Sequence, residues 1–146
     1  MNILFNCPSK FSIKDINKNS LGGIESLNLD LAYKLINKDN KVMLSSFCRK
    51  TTIFKKLINI PISKIILKNK FFHFDVIISS NDAKIFKYYP KSKNFLWLHN
   101  KLQLEKSIRK GQFFSIMKNK PNAVFVSNYL NKIKSKIFNF KNRRII

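Results

Sequence analysis

The sequence is short of acid, glycine and cysteine, and each shortage excludes some chemistry. Only 7 of the 146 residues are Asp or Glu. That argues against the carboxylate pair of a glycoside hydrolase, and no D-x-D pair is present to hold a metal-bound nucleotide sugar. The 3 glycines form neither a G-x-G-x-x-G fingerprint nor a P-loop. The run Val42-Met43-Leu44-Ser45-Ser46 carries no acid to the end of its strand, which argues against a nicotinamide dehydrogenase. G-x-S-x-G and H-E-x-x-H are missing as well. Cys7 and Cys48, the 2 cysteines, fit no metal or redox spacing and read as free thiols in a reducing compartment. No apolar run approaches the roughly 20 residues of a membrane span. The start Met1-Asn2-Ile3-Leu4-Phe5-Asn6 has no basic region and too short an apolar run for a signal peptide. The expected location is the cytoplasm, with any membrane contact peripheral and on the inner face.

Lysine is plentiful. Lys and Arg number 29, the net charge is +22 and the pI is near 10.3. Such a field attracts nucleic acid, anionic lipid and phosphorylated ligands. The excess is spread along the whole chain among Ile and Asn, so a purely compositional origin and a functional basic face both stand. With 45% hydrophobic and 13% aromatic residues, residues 1–146 can build one domain with its own core.

Short β-like runs alternate with helix-period segments. Ile3–Phe5 reads as a buried strand. Ser20-Leu21-Gly22-Gly23 then opens a helix through Ile24, Leu27, Leu31, Ala32 and Leu35, capped by Ser20 or started at the glycines. Lys38-Asp39-Asn40 ends it, and Val42–Leu44 is the second strand. Between Arg49 and Phe72, Pro61 separates a basic amphipathic piece (Phe54, Leu57, Ile58) from an expected strand at Ile65–Leu67. Phe74–Ile78 is a strand stopped by Ser79-Ser80-Asn81-Asp82, and Phe95–Leu98 is another, stopped by His99-Asn100. A long helix is expected from Leu102 to about Met117, weakened at Gly111. Ala123–Val126 follows as a strand. Ser127 then caps a helix carrying Tyr129, Leu130, Ile133 and Ile137, and Lys141–Ile146 begins a last strand. Continuous apolar strands alternating with helices imply an α/β fold: a Rossmann-like parallel sheet with helices on both faces. Ligands of such sheets bind beyond the carboxyl ends of the strands.

That rule ranks the residues. Gly22 and Gly23 precede a helix, where bare backbone N–H groups and the helix dipole can cradle phosphate, although a tight turn accounts for a glycine pair equally well. His99 ends the most apolar strand and would stand at the crevice rim, to hydrogen-bond or to change charge near neutral pH. Asn100 and Ser127 are further candidates for ligand contact. His73, between elements, reads as structural. Catalysis would rest on backbone dipoles, His99 and positive charge, a combination suited to a leaving diphosphate.

The opening strand, Ser20-Leu21-Gly22-Gly23-Ile24-Glu25, the Leu-rich helix to Leu35 and the strand at Lys41-Val42 together resemble the N-terminal domain of family 4-like (group 1) glycosyltransferases of the GT-B fold. Phe74-Asp75-Val76-Ile77, Leu96-Trp97-Leu98-His99-Asn100 and Ala123-Val124-Phe125-Val126-Ser127 resemble its later strands in the same order. The resemblance spans essentially the whole chain. It implies retaining, metal-independent transfer from a nucleotide-sugar donor to a glycan or lipid acceptor, with no cofactor, in a cleft between two Rossmann-like domains. It places Gly22 and Gly23 near the donor diphosphate and the acceptor, and gives His99 the catalytic contact with the donor sugar. Ser127 is a weaker carry-over, and Glu25 fits both the family pattern and a helix cap. The family's second domain supplies a basic pair and two spaced glutamates. Lys141–Ile146 stops where members run on into it, so the expectation is a truncated or split form needing a separate C-terminal chain.

A different class also fits the charge: a basic module without catalysis that binds an anionic membrane surface or nucleic acid. No helix-turn-helix, zinc finger or RNP-like motif supports nucleic acid. The lysines Lys55, Lys56, Lys64, Lys68 and Lys70, flanking Phe54, Leu57, Phe71 and Phe72, are the candidates for a membrane-facing surface.

Overall fold

A computed structural model describes residues 1–11, 13, 21–100 and 111–146. The fold is α/β, built on one eight-stranded, mostly parallel sheet with helices on both faces. In chain order the elements are β1 (Asn2–Asn6), α1 (Gly23–Ile36), β2 (Lys41–Ser46), β3 (Thr52–Phe54), β4 (Leu57–Pro61) and α2 (Ile62–Leu67). They continue with β5 (Val76–Ser80), β6 (Lys93–Leu98), α3 (Gln112–Asn119), β7 (Asn122–Phe125), α4 (Asn128–Ser135) and β8 (Arg143–Ile145). Short 3-10 turns occupy Asn69–Phe71 and Lys84–Tyr88.

The strand order is β3-β4-β2-β1-β5-β6-β7-β8. Only the β3–β4 pair is antiparallel. Setting aside that edge hairpin, the order outward from β1 in both directions is the doubly wound arrangement of Rossmann-like sheets. The chain leaves β1 for β2 on one side and leaves β5 for β6 on the other. The gap between the ends of β1 and β5 is therefore the topological switch point.

Alternation along the strands sends side chains to two cores. On the α1 face, Ile3, Phe5, Val42, Leu44 and Leu57 pack beneath Leu29 and Ala32 of α1. On the opposite face, Leu4, Ile77, Leu96, Leu98 and Phe125 pack with Ile65 of α2, Ile116 of α3 and Leu130 of α4. This second core is rich in rings: Phe74 meets Tyr89 edge-on at 5.3 Å, and Phe125 meets Phe140 at 5.7 Å. The Tyr89 hydroxyl donates to the Ile65 carbonyl at 2.9 Å, which ties α2 to the turn before β6.

The stretch from Arg49 to Phe72 departs from its sequence reading twice. Phe54, Leu57 and Ile58 do not lie on an amphipathic segment but on a β-hairpin. Its turn is Lys55-Lys56, both left-handed at φ 44° and 68°. Ile65–Leu67, expected as a strand, belongs to α2. The β-branched run suggested extension, but a helix begun directly after Pro61 buries Ile62 and Ile65 against the sheet. The expected cap Ser20 and residues 102–110 of the expected long helix lie outside the described residues. Gly111 takes φ +76°, a left-handed conformation open to glycine at little cost, and α3 starts directly after it. Ser127 caps α4 as expected, accepting from the Leu130 N–H at 3.2 Å.

Phe86 is fully buried in the larger core, whereas Phe71 is 86% exposed. Phe86→Ala should therefore lower stability by about 3–5 kcal/mol. Phe71→Ala should stay within about 0.5 kcal/mol. Urea unfolding of the two variants measures both.

Candidate functional site

Beneath the carboxyl ends of the strands runs a buried layer of small polar side chains. Ser45 (β2) donates its hydroxyl to Asn6 Oδ1 at 2.9 Å, and Asn6 Nδ2 (β1) donates to Ser79 Oγ (β5) at 2.8 Å. Ser79 in turn donates to the Asp82 carbonyl. Ser46 donates to Asn59 Oδ1 of β4 at 3.1 Å and to the Phe11 carbonyl at 3.0 Å. On β5, Ser80 receives Asn28 Nδ2 of α1 at 2.9 Å. Asn81, left-handed at φ 54°, accepts the His99 N–H at 2.9 Å and donates its own N–H to the Trp97 carbonyl at 2.8 Å. Asn6, Asn28, Ser45, Ser46, Asn59 and Ser79 have no exposed surface. Buried polar groups are costly unless paired. Apart from Asn59 Nδ2, which has no partner among the described residues, these groups are paired, so the layer ties β4, β2, β1, β5 and β6 together just below the rim.

Above the layer, at the switch point, stand the ends of β1 and β6 and the start of α1. Gly22 is the N-cap of α1, with extended backbone, and Gly23 is its first helical residue. The two glycines differ. A methyl group on Gly23 would meet no atom of the described residues within 4 Å. One on Gly22 would meet the Glu25 carboxylate, which folds back over it. Glu25 thus holds the place of an N-terminal acid that complements the helix dipole.

Cys7, directly after β1, is buried beside Ser9. Burial pushes its thiol up to about 11, the Ser9 contact partly offsets this, and the Glu25 charge adds to it. His99, directly after β6, packs on the Trp97 indole with ring centroids 4.8 Å apart. Its Nε2 is buried and has no hydrogen-bond partner among the described residues. Burial lowers the His99 pKa below the ordinary 6.5, and Glu25 opposes that shift. Glu25 therefore acts on the groups at the ends of both β1 and β6, and burial favours the neutral form of the imidazole. A neutral imidazole can exchange one directed hydrogen bond with a ligand, and here the buried Nε2 would first have to be uncovered by a movement of the ring or its neighbours.

The structure thus brings Gly22, Gly23 and His99 to one rim, with Glu25 among them. Asn100 continues from His99 and is half-buried. Ser127 follows β7 at the same edge, with its hydroxyl oxygen engaged in capping α4. His73 lies apart, 3.8 Å from Asp75 and largely exposed. Among the described residues no group of three or more His, Cys, Asp or Glu is placed to hold a metal, and no helix is long and apolar enough to cross a membrane.

The five candidate membrane-facing lysines are separated. Lys55 and Lys56 form the hairpin turn at the amino edge of β4. Lys64 reaches Thr51 at the carboxyl edge, at 3.4 Å. Lys68 and Lys70 lie beyond α2, next to the Asn69–Phe71 turn, on the face opposite α1.

The polar layer was not among the candidates read from the sequence. Its trace there is the small polar residues that close each apolar run: Asn6, Ser45-Ser46, Ser79-Ser80. Asn28 carries a further signal, standing on the helical stripe of Ile24, Leu31 and Leu35 where an apolar residue belongs. No protein-family model matches this chain, and no curated protein matches it.

Two measurements test the rim. The folded protein favours neutral His99, so as pH falls the unfolded chain takes up the proton first. Stability should be full above the ordinary 6.5 and decline as pH drops below it. His99→Gln should flatten that decline in urea titrations between about pH 7.5 and 5, and an unchanged slope would remove the assignment. With Ellman's reagent near pH 8, Cys48 should react in the native protein and Cys7 only after denaturation.

Proposed function

We propose that this chain is the acceptor-side, Rossmann-like domain of a two-domain glycosyltransferase. The transferase moves a sugar from a nucleotide-sugar donor to a glycan or lipid acceptor, with retention and without a metal. The observation that carries this reading is the meeting of a glycine-started helix with a neutral histidine across the switch point. There His99 Nε2 has no hydrogen-bond partner among the described residues. In the proposed reaction the bond from the anomeric carbon to the diphosphate oxygen breaks, the acceptor hydroxyl oxygen bonds to that carbon on the same face, and the hydroxyl proton passes to the departing diphosphate. The α1 terminus favours the charge gained by the leaving nucleoside diphosphate. His99, once uncovered, offers a hydrogen bond to the sugar, and Asn100 and Ser127 line the same rim. Glu25 must swing away from Gly22 before a diphosphate can approach, since two anions would otherwise share one helix terminus. The second domain, on this chain or another, would close the cleft and bind the nucleotide, at the cytoplasmic face or in the cytoplasm.

The wide separation of the five lysines weighs against the alternative of a flat anionic membrane as the main partner. The net charge of +22 still predicts weak, salt-sensitive attraction to any polyanion.

The test pairs binding with transfer. Titrating UDP-, GDP- and ADP-sugars should shift the amide signals of Gly23 and the ring signals of His99. The chain alone should transfer almost nothing. Adding a matching C-terminal domain should recover transfer, and His99→Ala should lower the recovered rate about a hundredfold or more. If the halves associate and no donor in a broad panel is used, the transferase reading fails. Oligonucleotide binding that fades with salt would then lead.

A further inference from the structure

The described residues cover the sheet face on the α1 side unevenly. α1 lies over β1 and β2, and its core there is closed. Toward β6, β7 and β8 the same face carries Lys93, Phe95 and Trp97, then Asn122 and Val124, then Arg144, with Ile146 beyond β8. Strand alternation and the register place them on one side. Two adjoining hollows lie on this face. One, of about 230 Å³, is lined among the described residues by Leu31, Ile78, Phe95, Trp97, Val124 and Ile146. The other, of about 470 Å³, shares Phe95 and Val124 with it and is bordered by Lys93, Arg143 and Arg144. Together they make one groove: an apolar hollow toward the carboxyl edge, flanked by a cationic hollow that runs from Lys93 at the amino edge to Arg144, level with Val124 and Trp97.

No described acidic residue forms an ion pair with the cationic hollow. Among the described residues the one ion-pair contact is His73 with Asp75. Lys93 instead lies over the Phe95 ring, its Nζ 5.6 Å from the centroid. The apolar hollow is smaller than the roughly 300–1,000 Å³ of sites for drug-sized ligands, which suits a narrow occupant. A second copy of this chain is a poor one, since each copy would bring +22 and its own Arg143 and Arg144 to the contact.

We propose that this groove binds a single-chain alkyl phosphate. Its hydrocarbon chain lies against Phe95, Trp97, Val124 and Ile146, and its phosphate is met by Lys93 and Arg144. Arg suits this role because its guanidinium can meet two phosphate oxygens at once. The proposal does not depend on the transferase reading, because the groove lies below the rim and uses neither His99 nor the glycines.

Trp97 is the only tryptophan and lines the apolar hollow, so its fluorescence reports occupancy directly. Dodecyl phosphate, kept below its micellar concentration, should change Trp97 emission saturably. Dodecanol should bind about tenfold more weakly, the worth of one charge-assisted contact, and inorganic phosphate should leave the emission unchanged. Lys93 and Arg144 are exposed, so the K93Q/R144Q double variant should keep its circular dichroism and lose about tenfold in affinity for dodecyl phosphate. The proposal is overturned by equal affinity for dodecanol, by unaltered affinity in the double variant, or by no saturable response. It is overturned too if only anionic phospholipid vesicles elicit a response, which would make the charge, not the groove, the binding element.

Discussion

A chain of buried hydrogen bonds from Ser45 through Asn6 to Ser79 is the constraint on which the upper half of this molecule rests. Apolar packing alone specifies strand register less sharply, since volume-conserving hydrophobic exchanges in a core cost little. A buried amide cannot slide without leaving donors and acceptors unpaired, at a cost of about 1–3 kcal/mol for each group. The layer therefore fixes where each strand stops, and with it the relative height of Cys7, His99 and the start of α1. Asn28 extends the same constraint to the helix by bonding both Ser80 and the Ile24 carbonyl.

That arrangement bears on the electrostatics of the rim. A chain of net charge +22 surrounds a switch point whose histidine is favoured in its neutral form by burial and whose charged neighbour is an acid, Glu25. The positive field is long-ranged and screened over roughly 8–10 Å in physiological salt. The chemistry of the rim is short-ranged, set by the helix terminus, one carboxylate and one imidazole. Attraction of an anion to the protein and its recognition at the rim are thus separate steps carried by different residues.

The sequence made the parallel sheet legible because a strand buried on both faces must be apolar throughout. The runs Ile3–Phe5, Val76–Ile78 and Phe95–Leu98 have that property and became β1, β5 and β6. The region from Arg49 to Phe72 was opaque for local reasons. Its hairpin turns on Lys55-Lys56, residues with no preference for left-handed backbone. In α2, the three consecutive residues Ile65-Ile66-Leu67 are helical because packing on the sheet outweighs the preference of the two isoleucines for extension. At the site, the glycines and His99 stood out because they interrupt apolar runs. Asn6 and Asn28 were hidden, since one asparagine among many in a Lys- and Asn-rich chain carries no mark until its partner, some 73 or 52 residues away, is known.

β6 connects the molecule's two distinctive surfaces. Lys93, Phe95, Trp97 and His99 follow one another at a spacing of two and so lie along one side of the strand, from the amino edge of the groove to the rim. Trp97 belongs to both: it walls the apolar hollow, and its indole supports the His99 ring. The imidazole is desolvated because of what packs around it, and the indole is one of those groups. Its orientation therefore depends on a side chain that also faces the groove, and a bulky change at Trp97 would disturb the polarity of the rim without altering any rim residue.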